Sequence, residues 1–164
     1  MPQSTTNFII LLLKWIVICI IVGILAGASS ALFLYTLNLS TNFRDSHLWM
    51  IFLLPVAGLI IGLLYHYYGK EVAKGNNLIL EEYENQKNTI PFKMAPLVYI
   101  GTILTHLFGG SAGREGTAVQ MSTAIADQFT KVFHLSAEER KIILIIGISG
   151  GFASVFGTPL TGAI

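Results

Sequence analysis

Gly109-Gly110-Ser111-Ala112-Gly113-Arg114-Glu115-Gly116-Thr117 sets two charges side by side in a part of the chain that is otherwise bare of them. No formal charge occurs from Met94 to Gly113, and after Glu115 none appears until Asp127. An ionised, unpaired carboxylate in so apolar a setting is costly. An ionisable residue at membrane depth therefore marks a functional site by default. A glycine-rich break just before a helix-like run gives that cost a use.

The composition identifies the solvent. Apolar residues make up 53% of the 164, charged residues 12%, and the mean hydropathy is +0.67, far from the balance of a soluble domain. Uncharged, largely apolar stretches run over 15–43, 46–69, 94–113 and 142–164, each near the ~20 residues of a spanning helix. Ten basic and nine acidic residues, with no basic patch interleaved with aromatics, offer nucleic acid nothing to bind. The single cysteine, Cys19, lies inside the first apolar run, so disulfides are no structural resource. Ala26-Gly27-Ala28 imitates a signal-peptidase site, but residues 1–7 hold no Lys or Arg and Lys14 interrupts the apolar core. A retained membrane helix is the better reading.

The first helix is predicted over about 8–38, with Gly23, Gly27 and Ala31 as a small-residue stripe for close helix approach. A polar turn at Ser40–His47 leads to a second helix over 48–68, which carries Gly58 and Gly62 and ends in Tyr65-His66-Tyr67-Tyr68 at the interface. The most polar part, 69–93, contains Gly75-Asn76-Asn77, which opens a short capped helix. A segment from Pro91 to about Phe108, a helix over about 115–129 and another over about 137–155 follow, the last started by the capping box Ser136-Ala137-Glu138-Glu139. Four Lys in 69–93 against one Arg in 39–47 put the 69–93 side and the N-terminus in the cytoplasm. The chain stops at Ile164 in mid-apolar run, as a fragment would. The expected organisation is a partial transmembrane domain over 1–164, all-α and polytopic, with no soluble domain.

Unwound backbone at membrane depth must be buried by protein or line a cavity. At 109–117 the break meets a helix start, whose free N–H groups and positive dipole end make a ready anion site. Gly109, Gly110, Gly113 and Gly116 leave room for an ion against the backbone, and Gly75 with the amides of Asn76 and Asn77 repeats the arrangement. Two broken segments of this kind fit a transporter substrate site. Ionised, Glu115 can take the anion's seat; protonated, it loses that attraction and swings away, which links anion access to proton binding. A mutual bridge with Arg114 is the weaker account, because adjacent helical residues do not face each other.

The remaining polar residues read more plainly. His66 and His134 belong at interfaces, His106 lacks a paired-ligand spacing, and no metal or cofactor is expected. Asp127 reaches headgroups or solvent near a helix end, and Lys14 snorkels or pairs. Ala118, Ser122 and Ala126, four apart, form a packing face. The glycine spacing matches no nucleotide-binding loop.

Gly113-Arg114-Glu115-Gly116-Thr117-Ala118-Val119-Gln120 resembles the G-[KR]-E-G-P-x-V-Q signature of the CLC family of chloride channels and proton-coupled anion antiporters. Gly150–Gly162 and the stretch at Gly75 follow in that family's order, so the resemblance covers about 8–164. It implies the first half of an inverted-repeat transporter fold with discontinuous helices. It also implies Glu115 as external gate and proton carrier, and an anion path along Gly75, Asn76, Asn77, Gly113, Arg114, Gly116 and Thr117. Asn76 stands where the family's central serine stands, and Thr117 replaces its proline, as in the bacterial fluoride/proton antiporter branch. An amide donor suits a small, strongly hydrogen-bond-accepting anion.

The resemblance thus implies fluoride export in exchange for protons by a multi-pass protein of the bacterial plasma membrane, a homodimer at full length. A chloride/proton antiporter or voltage-gated chloride channel is the alternative within the class. An intramembrane enzyme using Glu115 would need a base or second carboxylate beside Ser111 or Thr117, and the segments supply none. A pure helix-packing subunit leaves both glycine breaks unexplained.

Overall fold

The computed structural model describes the backbone of residues 2–163 and the side chains of residues 8–162. Its regular structure is helical throughout: α1 (Pro2–Ser46), α2 (Leu54–Tyr68), α3 (Asn76–Asn85), α4 (Met94–Leu107), α5 (Arg114–Val132), α6 (Ala137–Phe156) and α7 (Pro159–Ala163). Short 3-10 turns at Leu48–Leu53 and Lys70–Val72 precede α2 and α3.

α1 is longer than its apolar pattern predicts. The polar stretch from Ser40 continues the helix, with its hydroxyls satisfied inside it: Ser40 Oγ donates to Thr36 O, Thr41 Oγ1 to Leu37 O and Ser46 Oγ to Asn42 O, at 2.9, 2.9 and 3.1 Å. At about 1.5 Å per residue, α1 is roughly twice the ~30 Å thickness of a bilayer's hydrocarbon. Among the described residues, α1 and the 48–68 segment are the two stretches long and apolar enough to cross a membrane. Both leave rows of large apolar side chains uncovered, among them Ile24, Leu32, Phe52 and Leu59. In lipid such rows carry no penalty.

The helices sort their ends onto two faces. Lys14 on α1 meets Glu139 at the start of α6, and the 86–90 segment meets the end of α5. On the opposite face, Arg44 near the end of α1 donates to His106 O near the end of α4. α5 and α6 form the closest pair and pack through small residues. A Cβ at Gly147 would lie 2.8 Å from Thr123 Cα, and one at Gly151 2.7 Å from Ala118 O. Ala118, Ser122 and Ala126 are wholly buried there, as their spacing predicts.

The glycine stripes of α1 and α2 behave differently. A Cβ at Gly23, Gly27, Gly58 or Gly62 would meet nothing within 4 Å, so no described residue uses them for close approach. The buried stripe of α1 is Ile18, Val22, Ala26, Ser30, Phe33 and Leu37 instead, with Ala26 against Gly150 and Ser30 hydrogen-bonded to Ser154 on α6.

Candidate anion site and gate

α4 ends at Leu107, and residues 108–113 carry the chain across to α5. Gly109 has φ +85°, and a Cβ on it would press to 2.9 Å from Ile51 Cγ1, so both backbone and neighbour demand glycine. Gly113 is the extended N-cap of α5, with no side-chain cap. The N–H groups of Arg114, Glu115 and Gly116 therefore start the helix without intrahelical acceptors.

Glu115 is half-buried in this first turn. Its Oε2 curls back over the N-cap, 3.7 Å from the Cβ position of Gly113. Among the described residues neither Glu115 nor Arg114 belongs to an ion pair, so adjacency does not bridge them. Both open on a cavity of about 760 Å³ that Arg44, His106 and Ser111 also line. Arg114 is exposed at its mouth. His106 Nδ1 lies 3.0 Å from Thr102 O and must be the protonated nitrogen, since a carbonyl only accepts. An unpaired carboxylate thus faces a cavity edged by two guanidinium groups.

Thr117 does not face that cavity. Its hydroxyl donates to Gly113 O at 3.0 Å, which leaves Thr102 on α4 to donate to it across 2.7 Å. With 3% exposure, it braces the helix start from behind. Expected on the anion path, it is turned away, with its single hydroxyl proton committed to Gly113 O.

The second break converges on the first. Gly75, at φ +58° and ψ −128°, is the N-cap of α3, with no side-chain cap; the asparagine amides leave the helix start open, contrary to the capped start predicted. Asn76 reaches toward α5, its Nδ2 3.4 Å from the Cβ position of Gly116. Asn77, one position further along α3, is exposed. Gln120 joins Gly75, Asn76 and Gly116, with Nε2 3.4 Å from the Cβ position of Gly75. Gln120 closes the signature that begins at Gly113, and its four-residue spacing from Gly116 puts both on one face of α5.

The far ends of the same helices are clasped. Arg140 on α6 donates to Asp127 on α5 through Nε and Nη2, to Glu82 on α3 at 3.2 Å, and to Asn88 O at 2.7 Å. Asp127 also accepts from Ile90 N–H at 2.7 Å and from Thr130. Asp127 is fully buried rather than directed to headgroups, because Arg140 supplies the charge its burial requires. Lys14 also finds a partner, Glu139, at 2.6 Å. Among the described residues no group of three His, Cys, Asp or Glu could hold a metal ion.

Comparison with known proteins decides the family. The pattern that describes the voltage gated chloride channel matches residues 57–164, which include both glycine breaks. The chain belongs to the CLC family of voltage gated chloride channels and related transporters. It is 56% identical over 151 residues to the chloride/fluoride channel protein of Pseudomonas syringae pv. tomato, covering 92% of this chain and 33% of that one. It is 27% identical over 176 residues to the H(+)/Cl(-) exchange transporter ClcA of Vibrio cholerae, covering 99% and 36%. The crystal structure of a CLC-type fluoride/proton antiporter matches with a TM-score of 0.84 at 37% identity, over 89% of this chain and 37% of that chain. The helices therefore carry the CLC membrane fold, in a family of channels and transporters, not enzymes. The chain spans about a third of the length of the curated relatives it matches.

Proposed function

We propose that the CLC protein to which this sequence belongs is a proton-coupled anion antiporter that exports fluoride in exchange for protons. The observation that carries this reading is the Glu115 carboxylate, half-buried, in no ion pair among the described residues and set in the open first turn of α5. It is the one group at the break that can be both an anion and a proton carrier. Ionised, it sits among the free N–H groups; protonated, it yields them to a passing anion.

The anion path runs from Arg114 at the mouth, past Gly113 and Gly116, to Gly75, Asn76 and Asn77 at the start of α3. Thr117 shapes that path by holding Gly113 O. Residues 1–164 form part of the transmembrane domain of a multi-pass protein of the bacterial plasma membrane. It acts as a homodimer and without metal or cofactor. Fluoride is favoured over chloride because Asn76 presents a neutral amide donor, and the fluoride-linked relatives support the same choice.

Flux from liposomes containing the full-length protein tests the reading. An outward fluoride gradient should drive protons inward in fixed proportion. Fluoride efflux without proton movement would identify a channel, and chloride exchanged in preference to fluoride would favour the reading that the Vibrio relative's name supports.

A further inference from the structure

Gln120 stands nearly two turns into α5 with its amide against the start of α3. A Cβ at Gly75 would lie 3.4 Å from Nε2 and 3.5 Å from Oε1, and one at Gly116 would lie 3.9 Å from Nε2. The two ends of the amide are nearly equidistant from Gly75, so a half-turn of the group presents either end to the same gap. Asn76 Nδ2 lies 3.4 Å from the same Cβ position of Gly116.

On α5, the hydroxyls of Ser122 and Thr123 are buried without a hydrogen-bond partner inside the helix packing. Thr117 is bonded twice, and Gln128 donates to both Ile90 O and Ala124 O. The Gln120 amide, by contrast, is only partly buried and is not tied down by a hydrogen bond of the kind that holds Gln128. Its N–H groups are therefore open to solvent or to a ligand that enters the gap beside Gly75.

We propose that Gln120 donates a hydrogen bond to the transported anion and, with Asn76, sets the anion preference of the site. The inference rests on the antiport reading above, and it adds a residue from α5 to the seat formed by α3. Two neutral amides give directed N–H groups without a cation. The strength of each bond then follows the anion's accepting power, which is greatest for a small, charge-dense ion. A large, diffuse anion gains less from the same donors.

Fluoride and chloride efflux, competition between the two anions, and proton uptake are measured together in liposomes with the full-length wild type, Gln120→Met and Gln120→Asn. Gln120→Met keeps the length and removes the donor, and should lower the preference for fluoride over chloride at least about tenfold. Protons moved per anion should stay at the wild-type value, because Glu115 is untouched. Gln120→Asn, a shorter amide, should fall between the two. A preference within about twofold of wild type in transporting Gln120→Met vesicles overturns the inference. If Gln120→Met does not fold, Gln120→Glu decides: a carboxylate at the seat should abolish fluoride efflux at neutral pH, and undiminished efflux overturns the inference. Wild-type anion flux without proton movement removes the antiport reading and leaves the Gln120 comparison standing. Absence of any wild-type anion flux overturns both.

Discussion

Arg140 on α6 grips Asp127 on α5 along two parallel hydrogen bonds, Nε to Oδ1 at 2.9 Å and Nη2 to Oδ2 at 2.8 Å. The same guanidinium reaches Glu82 on α3, so one cation pairs with two buried carboxylates and ties together the helices whose opposite ends meet at the break. The clasp fixes how the starts of α3 and α5 face each other.

Removing that cation should be severe. Arg140→Met leaves Asp127 and Glu82 buried without a counter-charge, a loss of about 3–5 kcal/mol. The double change Arg140→Met with Asp127→Asn should recover part of it, because one bare carboxylate is gone. Thermal unfolding of the detergent-purified full-length protein measures both. A double variant less stable than Arg140→Met would show that packing of the Asp127 side chain, not its charge, dominates.

Glu115→Gln should abolish proton coupling and leave passive anion flux. The amide has the shape of the protonated gate and cannot deliver a proton, and no ion pair of Glu115 is disturbed. Proton and fluoride fluxes recorded together give the ratio. A ratio equal to wild type would place the coupling residue elsewhere.

Asn76→Ser should shift the preference from fluoride toward chloride. The change withdraws the Nδ2 group, 3.4 Å from the Cβ position of Gly116, and substitutes a shorter hydroxyl. A lost hydrogen bond to a charged partner corresponds to about 1.5–3 kcal/mol, or roughly tenfold and upward in relative affinity. Competition between the two anions in a flux assay reads it directly. Unchanged competition in folded protein would transfer the role to the backbone or to Gln120.

Glycines on α6 and α1 should respond in opposite ways to alanine. Gly151→Ala drives a methyl to 2.7 Å from Ala118 O and 2.9 Å from Val119 Cα, both backbone atoms, and should cost about 1–3 kcal/mol or more. Gly27→Ala meets nothing within 4 Å and should be neutral or gain up to about 1 kcal/mol in helix propensity. Melting temperatures of the two variants decide. A destabilised Gly27→Ala would reveal a helix packed on α1 from outside residues 8–162.

The sequence alone determined the solvent, the two breaks, the capping box at Ser136 and the family, because each depends on composition or on residues within a few positions of one another. Ser136 and Glu139 are three apart, and they cap α6 as predicted. Tertiary structure decided what local pattern leaves open. The glycine stripe of α1 and the glycines of α6 look alike in sequence, yet only Gly147 and Gly151 are pressed against another helix. In a membrane the lipid is as apolar as the protein interior, so an apolar or small-residue stripe does not reveal which side it faces. Asp127 and Thr117, expected at headgroups or solvent and on the anion path, and the partners of Lys14 and Gln120 were out of reach of local pattern for a related reason. The partners lie 13 residues from Asp127 at Arg140, on α4 at Thr102 for Thr117, 125 residues from Lys14 at Glu139 and at the start of α3 for Gln120, and only the packing of whole helices brings those groups within reach.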